Sequence, residues 1–242
     1  MNYSLKNCSV ILCVALGCGS LNVYGFAVSP QVKQSPEVVE AYRLCETFEH
    51  LLGETLDFDR AYEATFPRNK TLRRAIAIAD GEFSDDGLAT VDDDSVINAY
   101  KRRMQLFYLM LVLAGPDTDE EAALFFPPEI KGLLRREPPK DPRNFPTYVS
   151  QLDHDVAQFR THLDRLSARY TSVAERIRKF KSDTMAVKFP PPTNYKVEPT
   201  TAYYRSGVLG KDEPYYVIGS YFVAKEQGRM RIIGIRFFTR LF

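Results

Sequence analysis

Apolar residues return every three or four positions through the longest regular stretch of this chain. Tyr148, Leu152, Val156, Phe159, Leu163, Leu166, Tyr170, Val173, Ile177 and Phe180 alternate at steps of four and three. Asp153, Arg160, Asp164, Arg165, Arg169, Glu175 and Arg178 lie between them. This is an apolar seam at heptad spacing, and it predicts one long amphipathic helix over 148–182. At 1.5 Å per residue such a helix would reach about 50 Å, more than the width of a small domain. Two dispositions follow. The helix lies across its own molecule, or it projects and pairs with a partner helix, which would make the chain an oligomer. Leu152, Val156, Phe159, Leu163, Leu166, Tyr170, Val173 and Ile177 form the candidate interaction seam. The Tyr and Phe within it suit a globular core better than a tight two-stranded zipper.

The region before the seam reads as several shorter helices. Pro36–Gly53 opens on proline and carries Val38, Tyr42, Cys45, Phe48 and Leu52 on one stripe, with Gly53 as its stop. Asp57 caps a second helix with Phe58, Ala61, Tyr62 and Phe66 inward, and Pro67 ends it. Asn69 or Thr71 opens Leu72–Ala79, and Gly81 closes it. Asn69-Lys70-Thr71 is also a glycosylation sequon, relevant in a eukaryotic source. After an acidic loop, Asp94-Ser95 caps Val96–Ala114, whose second half is nearly all apolar. Asp119–Phe126 and Glu129–Leu134 are short helices separated by Pro127-Pro128. This divides the chain into a helical region at 28–137, a Pro-rich connector at 138–147 and the long helix.

A second Pro-rich linker, 183–199, precedes a change of period. Residues 200–242 read as three strands, with Gln227-Gly228 as the turn between the last two. Gly219 and Gly234 inside those strands predict a bend or a close backbone approach. The expected fold is therefore α+β and mainly helical, with a C-terminal three-stranded antiparallel meander packed on helices. In order of elements it is similar to cystatin-like and nuclear-transport-factor-like α+β folds, around Tyr215–Phe238, without a motif that assigns it to either family.

The N-terminus changes the setting. Lys6 precedes the apolar run Cys8–Leu16, followed by small residues near Gly25 and Ala27. A basic start, a short apolar core and a small-residue exit form an export signal over residues 1–27. Cleavage beside Gly25 or Ala27 suits an ordinary signal peptidase. Alternatively, Ala15-Leu16-Gly17-Cys18 resembles a bacterial lipobox with its first two positions inverted, and Cys18 is then the lipidated residue. Retention as an anchor is the third alternative. The expected location is periplasmic or secreted, with membrane contact only through the leader or a lipid. Cys8, Cys13 and Cys18 lie in the leader, so a mature chain without the lipid keeps only Cys45 and no internal disulfide. Cys45 reads as a small core hydrophobe, since its apolar stripe excludes His50.

About 215 residues remain after the leader, ample for one core. Apolar content of 45% and charged content of 26% are globular values. Charge is uneven: residues 28–142 carry 14 Lys+Arg against 22 Asp+Glu, and residues 143–242 carry 17 against 9. Docking of the halves on each other, or solvated faces, is the expected reading of that split; the alternative is a basic binding surface for a polyanion or an anionic membrane. A neutral total, export and the lack of an Arg/aromatic motif argue against nucleic acid as a partner.

The best metal candidate is the acidic loop. Glu82, Ser84, Asp86 and Asp93 occupy positions 1, 3, 5 and 12 of an EF-hand-like spacing, with Gly87 at 6. Position 1 normally holds Asp and position 12 a bidentate Glu, so a calcium site is the weaker reading and a solvated loop the stronger. His154 and His162 are two helical turns apart, too far to share zinc. HExxH, CxxC, GxSxG, GxGxxG and P-loop motifs do not occur. No catalytic residue and no cofactor is predicted. The expected function is an exported, non-enzymatic interaction or binding module with a protein partner or small ligand. The alternative is a small-ligand-binding protein, less readily a hydrolase, with a pocket between sheet and helices. The Tyr-rich strands (Tyr203, Tyr204, Tyr215, Tyr216, Tyr221 and Phe222) would supply its aromatic wall, with core and edge packing as the other reading of the same residues.

Overall fold

A computed structural model describes residues 36–81, 83, 88–113, 118–186, 201–209 and 216–240; the side chains of 38, 42, 179–186, 201–209, 216–220 and 236–240 lie outside that description. The leader, Cys18, and the loop residues Glu82, Ser84 and Asp86 are likewise outside the described residues.

Eight α-helices make up most of the described chain: α1 (Pro36–Thr55), α2 (Phe58–Thr65), α3 (Lys70–Asp80), α4 (Asp93–Val112), α5 (Asp119–Phe125), α6 (Pro128–Leu134), α7 (Phe145–Arg169) and α8 (Thr171–Ala186). An antiparallel sheet follows, from β1 (Thr201–Leu209), β2 (Tyr216–Glu226) and β3 (Arg229–Arg240). Along the backbone β1 runs antiparallel to β2, Thr201 facing Ala224 and Leu209 facing Tyr216.

Local chemistry explains most helix limits. Asp57 accepts from the Asp59 amide to start α2, and Asn69 accepts from the Leu72 amide to start α3. The Asn69 side chain is thus engaged as a cap. Thr118 does the same for α5 through the Glu121 amide. Helix α4 starts earlier than Asp94-Ser95 suggests, because Asp92 accepts from both the Ser95 amide and its hydroxyl. Helix α1 runs past the buried Gly53 to Thr55, and Leu56 then takes a left-handed φ of 52°.

The single helix expected over 148–182 is two helices. Tyr170 leaves helical geometry at φ −124° and ψ 111°. Its amide still donates to Leu166 O at 2.8 Å, while its carbonyl accepts from the Val173 and Ala174 amides and so begins α8. Folding α8 back lets it lie on α1 as well as on α7. A straight continuation would carry Val173 away from the body, and here Val173 is fully buried.

One hydrophobic core joins α1, α2, α4, α7 and the sheet. Its centre is aromatic, built from Phe and Tyr in a chain without Trp. Phe48 meets Phe58 edge-on at 5.9 Å and Tyr221 at 5.8 Å. Tyr62 stacks on Phe66 at 4.2 Å. Each such side chain contributes on the order of 1.5–3 kcal/mol by burial.

Helix side chains fasten the β2–β3 hairpin. Glu226, beside the turn, accepts from the Arg68 and Asn69 amides ahead of α3. Glu40 accepts from Met230 N at 3.0 Å, and Asp80 accepts from Ile235 N at 3.0 Å. The register shifts after Phe222, which faces Gly234 while Val223 faces Ile232, so Ile233 is an extra residue. At Gly234 a Cβ would stand 3.2 Å from an Asp80 carboxylate oxygen, a close approach at which Asp80 would have to shift to admit a side chain. Gly219 instead faces Phe237, so the two glycines are not opposite one another.

Candidate functional site

The turn between α1 and α2 is held by side chains from two other helices. Leu56 sits in a left-handed conformation that costs a non-glycine residue about 1–2 kcal/mol. Two long-range side chains secure it. Gln105 on α4, nearly fully buried, accepts from Phe58 N at 2.7 Å and donates to Leu56 O at 2.8 Å. Arg160 on α7 donates from Nη2 to the same Leu56 oxygen at 3.0 Å.

That turn faces the inside of the α7–α8 elbow, and between them lies an open groove of about 430 Å³. Leu56, Leu109, Leu163 and Ile177 give it an apolar floor. Thr55, Arg160, Asp164 and Ser167 form a polar rim. Arg160 and Asp164 are four residues apart on α7, a spacing at which opposite charges ordinarily pair. They are not ion-paired here: Arg160 reaches across to Leu56 O, and the Asp164 carboxylate has no bonding partner among the described residues. The elbow thus presents a cation and an anion beside an apolar floor.

A second concavity, about 400 Å³, lies beyond the elbow between α5 and Tyr170. Two of its lining residues are engaged by Arg176, which lies over the Phe125 ring at 5.4 Å and pairs with Glu121 at 3.4 Å. His162 contacts Phe125 O at 3.0 Å, while His154 is exposed, so the two histidines serve different surroundings.

The seam residues are mostly interior. Leu152, Phe159, Leu163, Leu166 and Val173 are buried, and Val156 and Ile177 pack against that core. Among the described seam side chains only Tyr170 stands open, at 39% exposure. In this structure the seam joins α7 to α4 and α8 to α1, within one chain. It does so because the break at Tyr170 brings both halves onto the same body.

Of the calcium candidates, Asp93 is described, and its carboxylate is engaged by Arg74 Nη1 at 2.9 Å. The same guanidinium donates to Leu88 O and Val91 O, holding the end of the acidic loop with the protein's own cation. Among the described residues no three His, Cys, Asp or Glu side chains gather as metal ligands. Cys45 is buried beside Glu49, and burial pushes its thiol well above the ordinary range, with Glu49 and Glu46 adding to the shift. A thiol so held is not a nucleophile. Of the aromatic strand set, the side chains of Tyr221 and Phe222 are described; Phe222 is half-buried, and Tyr221 is buried and donates to Glu49. Its phenol is raised by burial, then by the Glu49 charge.

Gln105, Arg160 and Asp164 carry the site, and none is distinctive in the sequence. Arg160 and Asp164 occupy ordinary polar positions of the seam, and Gln105 is one polar residue entering an apolar helix half. That last feature is the available signal, since a buried amide requires partners.

Compared with protein-family models, with curated proteins and with solved structures, the chain matches none. Among the described residues no helix is long and apolar enough to cross a membrane.

Proposed function

We propose that this chain is an exported, non-enzymatic binding module whose binding surface is the groove inside the α7–α8 elbow. Export rests on the leader of residues 1–27. The binding surface rests on one observation: a 430 Å³ concavity with an apolar floor, rimmed by an arginine and an aspartate that leave each other unpaired. Its volume lies within the range of small-molecule sites, roughly 300–1,000 Å³. The three-stranded meander belongs to the same reading, with β1 and β3 as its edges and β3 lying against α1 and α3.

A pocket between sheet and helices has less support, because Tyr221, Val223 and Ile232 are fully buried there against the helical body. Methyl NMR of the full chain, titrated with a mixed panel of metabolites and short peptides, tests the elbow. Shifts concentrated at Leu56, Leu163 and Ile177 are expected, and Ala174→Trp, which fills the groove, removes them without disturbing the rest of the spectrum. Shifts gathered on another surface, or none at all, would sink the reading.

A further inference from the structure

Resting on the elbow groove as the binding surface, we infer that its ligand is a zwitterion with an apolar side chain, a free apolar α-amino acid. The inference starts from the charges. Arg160 uses one of its guanidinium donors, on Leu56 O at 3.0 Å. A guanidinium has five donors in a planar fork that matches a carboxylate, so an edge suited to a carboxylate remains. Asp164 accepts nothing through its side chain among the described residues, although Ser167 donates to its backbone carbonyl at 2.9 Å.

The two residues stand about one helical turn apart on α7, an axial rise of about 6 Å between their backbone positions. A carboxylate and an ammonium carried on one carbon fall between them, the first toward Arg160 and the second toward Asp164. A lone anion would gain Arg160 but face Asp164, and a lone cation would meet the reverse. A ligand neutral overall with its charges separated satisfies both. The apolar floor of Leu109, Leu163 and Ile177 receives the side chain. Thr55 and Ser167 on the rim supply hydroxyls to the remaining polar edges. The volume of about 430 Å³ admits a single amino acid.

The test compares L-leucine with leucinamide, N-acetyl-leucine and glycine, which lack the carboxylate, the ammonium and the side chain in turn. Calorimetry gives the affinities, and methyl NMR of the full chain reports where each binds. Leucine is expected to bind at the elbow at least about tenfold more tightly than each of the three, since every comparison removes one matched contact. Arg160→Gln should then erase the difference between leucine and leucinamide, and Asp164→Asn that between leucine and N-acetyl-leucine. Gln105 still holds the Leu56 turn in both variants. Equal binding of all four compounds at the elbow would overturn the zwitterion and leave the groove standing, as would elbow shifts produced only by other members of the panel. Elbow methyls unmoved by every compound would overturn both the ligand and the groove.

Discussion

Replacing Gln105 with leucine isolates the interaction that holds the α1–α2 turn. The side chain is 3% exposed and its amide makes two buried hydrogen bonds, to Phe58 N at 2.7 Å and Leu56 O at 2.8 Å. Leucine keeps the approximate volume and removes both. The stranded Phe58 amide costs about 1–3 kcal/mol. Leu56 O keeps Arg160 at 3.0 Å, so its share is smaller, about 0.5–1 kcal/mol. The added apolar surface returns about 1 kcal/mol. The net loss is about 2 kcal/mol, which lowers Tm by roughly 4–8 °C for a chain of this size. Urea unfolding followed by circular dichroism should show a lower midpoint at an unchanged slope. Arg160→Gln is the internal control, with a loss below about 1 kcal/mol, because Gln105 still satisfies Leu56 O. A Gln105→Leu loss below about 0.5 kcal/mol, or one no larger than that of the control, would refute the view that this amide secures the turn.

Three further outcomes follow from other buried groups. Asp155 is 1% exposed and bound by Arg136, itself partly exposed, so Arg136→Met, which strands the buried carboxylate, should destabilise by about 2–4 kcal/mol, and Asp155→Asn by less; thermal unfolding that ranks them in reverse contradicts this. Burial raises the phenols of Tyr62, Tyr100, Tyr108, Tyr148 and Tyr221. The fold keeps these phenols protonated while the unfolded chain releases its protons near pH 10, so stability is full below about pH 10 and falls above it by up to about 1.4 kcal/mol per pH unit for each phenol. Phenolate absorbance from these tyrosines should rise together with loss of circular dichroism, and their ionisation near pH 10 in folded protein would disprove it. Gly234→Ala puts a Cβ 3.2 Å from Asp80 and should weaken the Asp80–Ile235 bond, lowering stability by about 1 kcal/mol or more, with faster exchange of the Ile235 amide as the direct readout.

Much of the helical plan is local and can be read residue by residue. Asp57 and Asn69 cap helices with their own side chains, Pro67 and Pro127 stand where helices cannot run on, and the stripe of Cys45, Phe48 and Leu52 turns one face of α1 inward. Each of these depends on neighbours within one or two turns, so the sequence contains the whole cause. The same holds for the mainly helical α+β class and for the Gln227–Gly228 turn, where Gln227 has φ 49° and Gly228 φ 80°.

The break at Tyr170 and the site beside it depend on the rest of the molecule. Leu166 and Val173 are spaced as one continuous seam and both are buried, so the pattern is the same whether the helix runs straight or folds back. Periodicity marks which face is apolar; it does not say which element covers that face, and here α4 covers α7 while α1 covers α8. The spacing of Arg160 and Asp164 alone predicts a mutual ion pair. A carbonyl 104 residues away in sequence takes Arg160 instead. By itself the sequence determined which stretches are helical, the caps at Asp57 and Asn69 and the apolar faces, because those follow from short-range sterics and hydrogen bonding. Only the tertiary structure decided the elbow and its separated charges, because their causes are contacts between residues that the fold alone brings together.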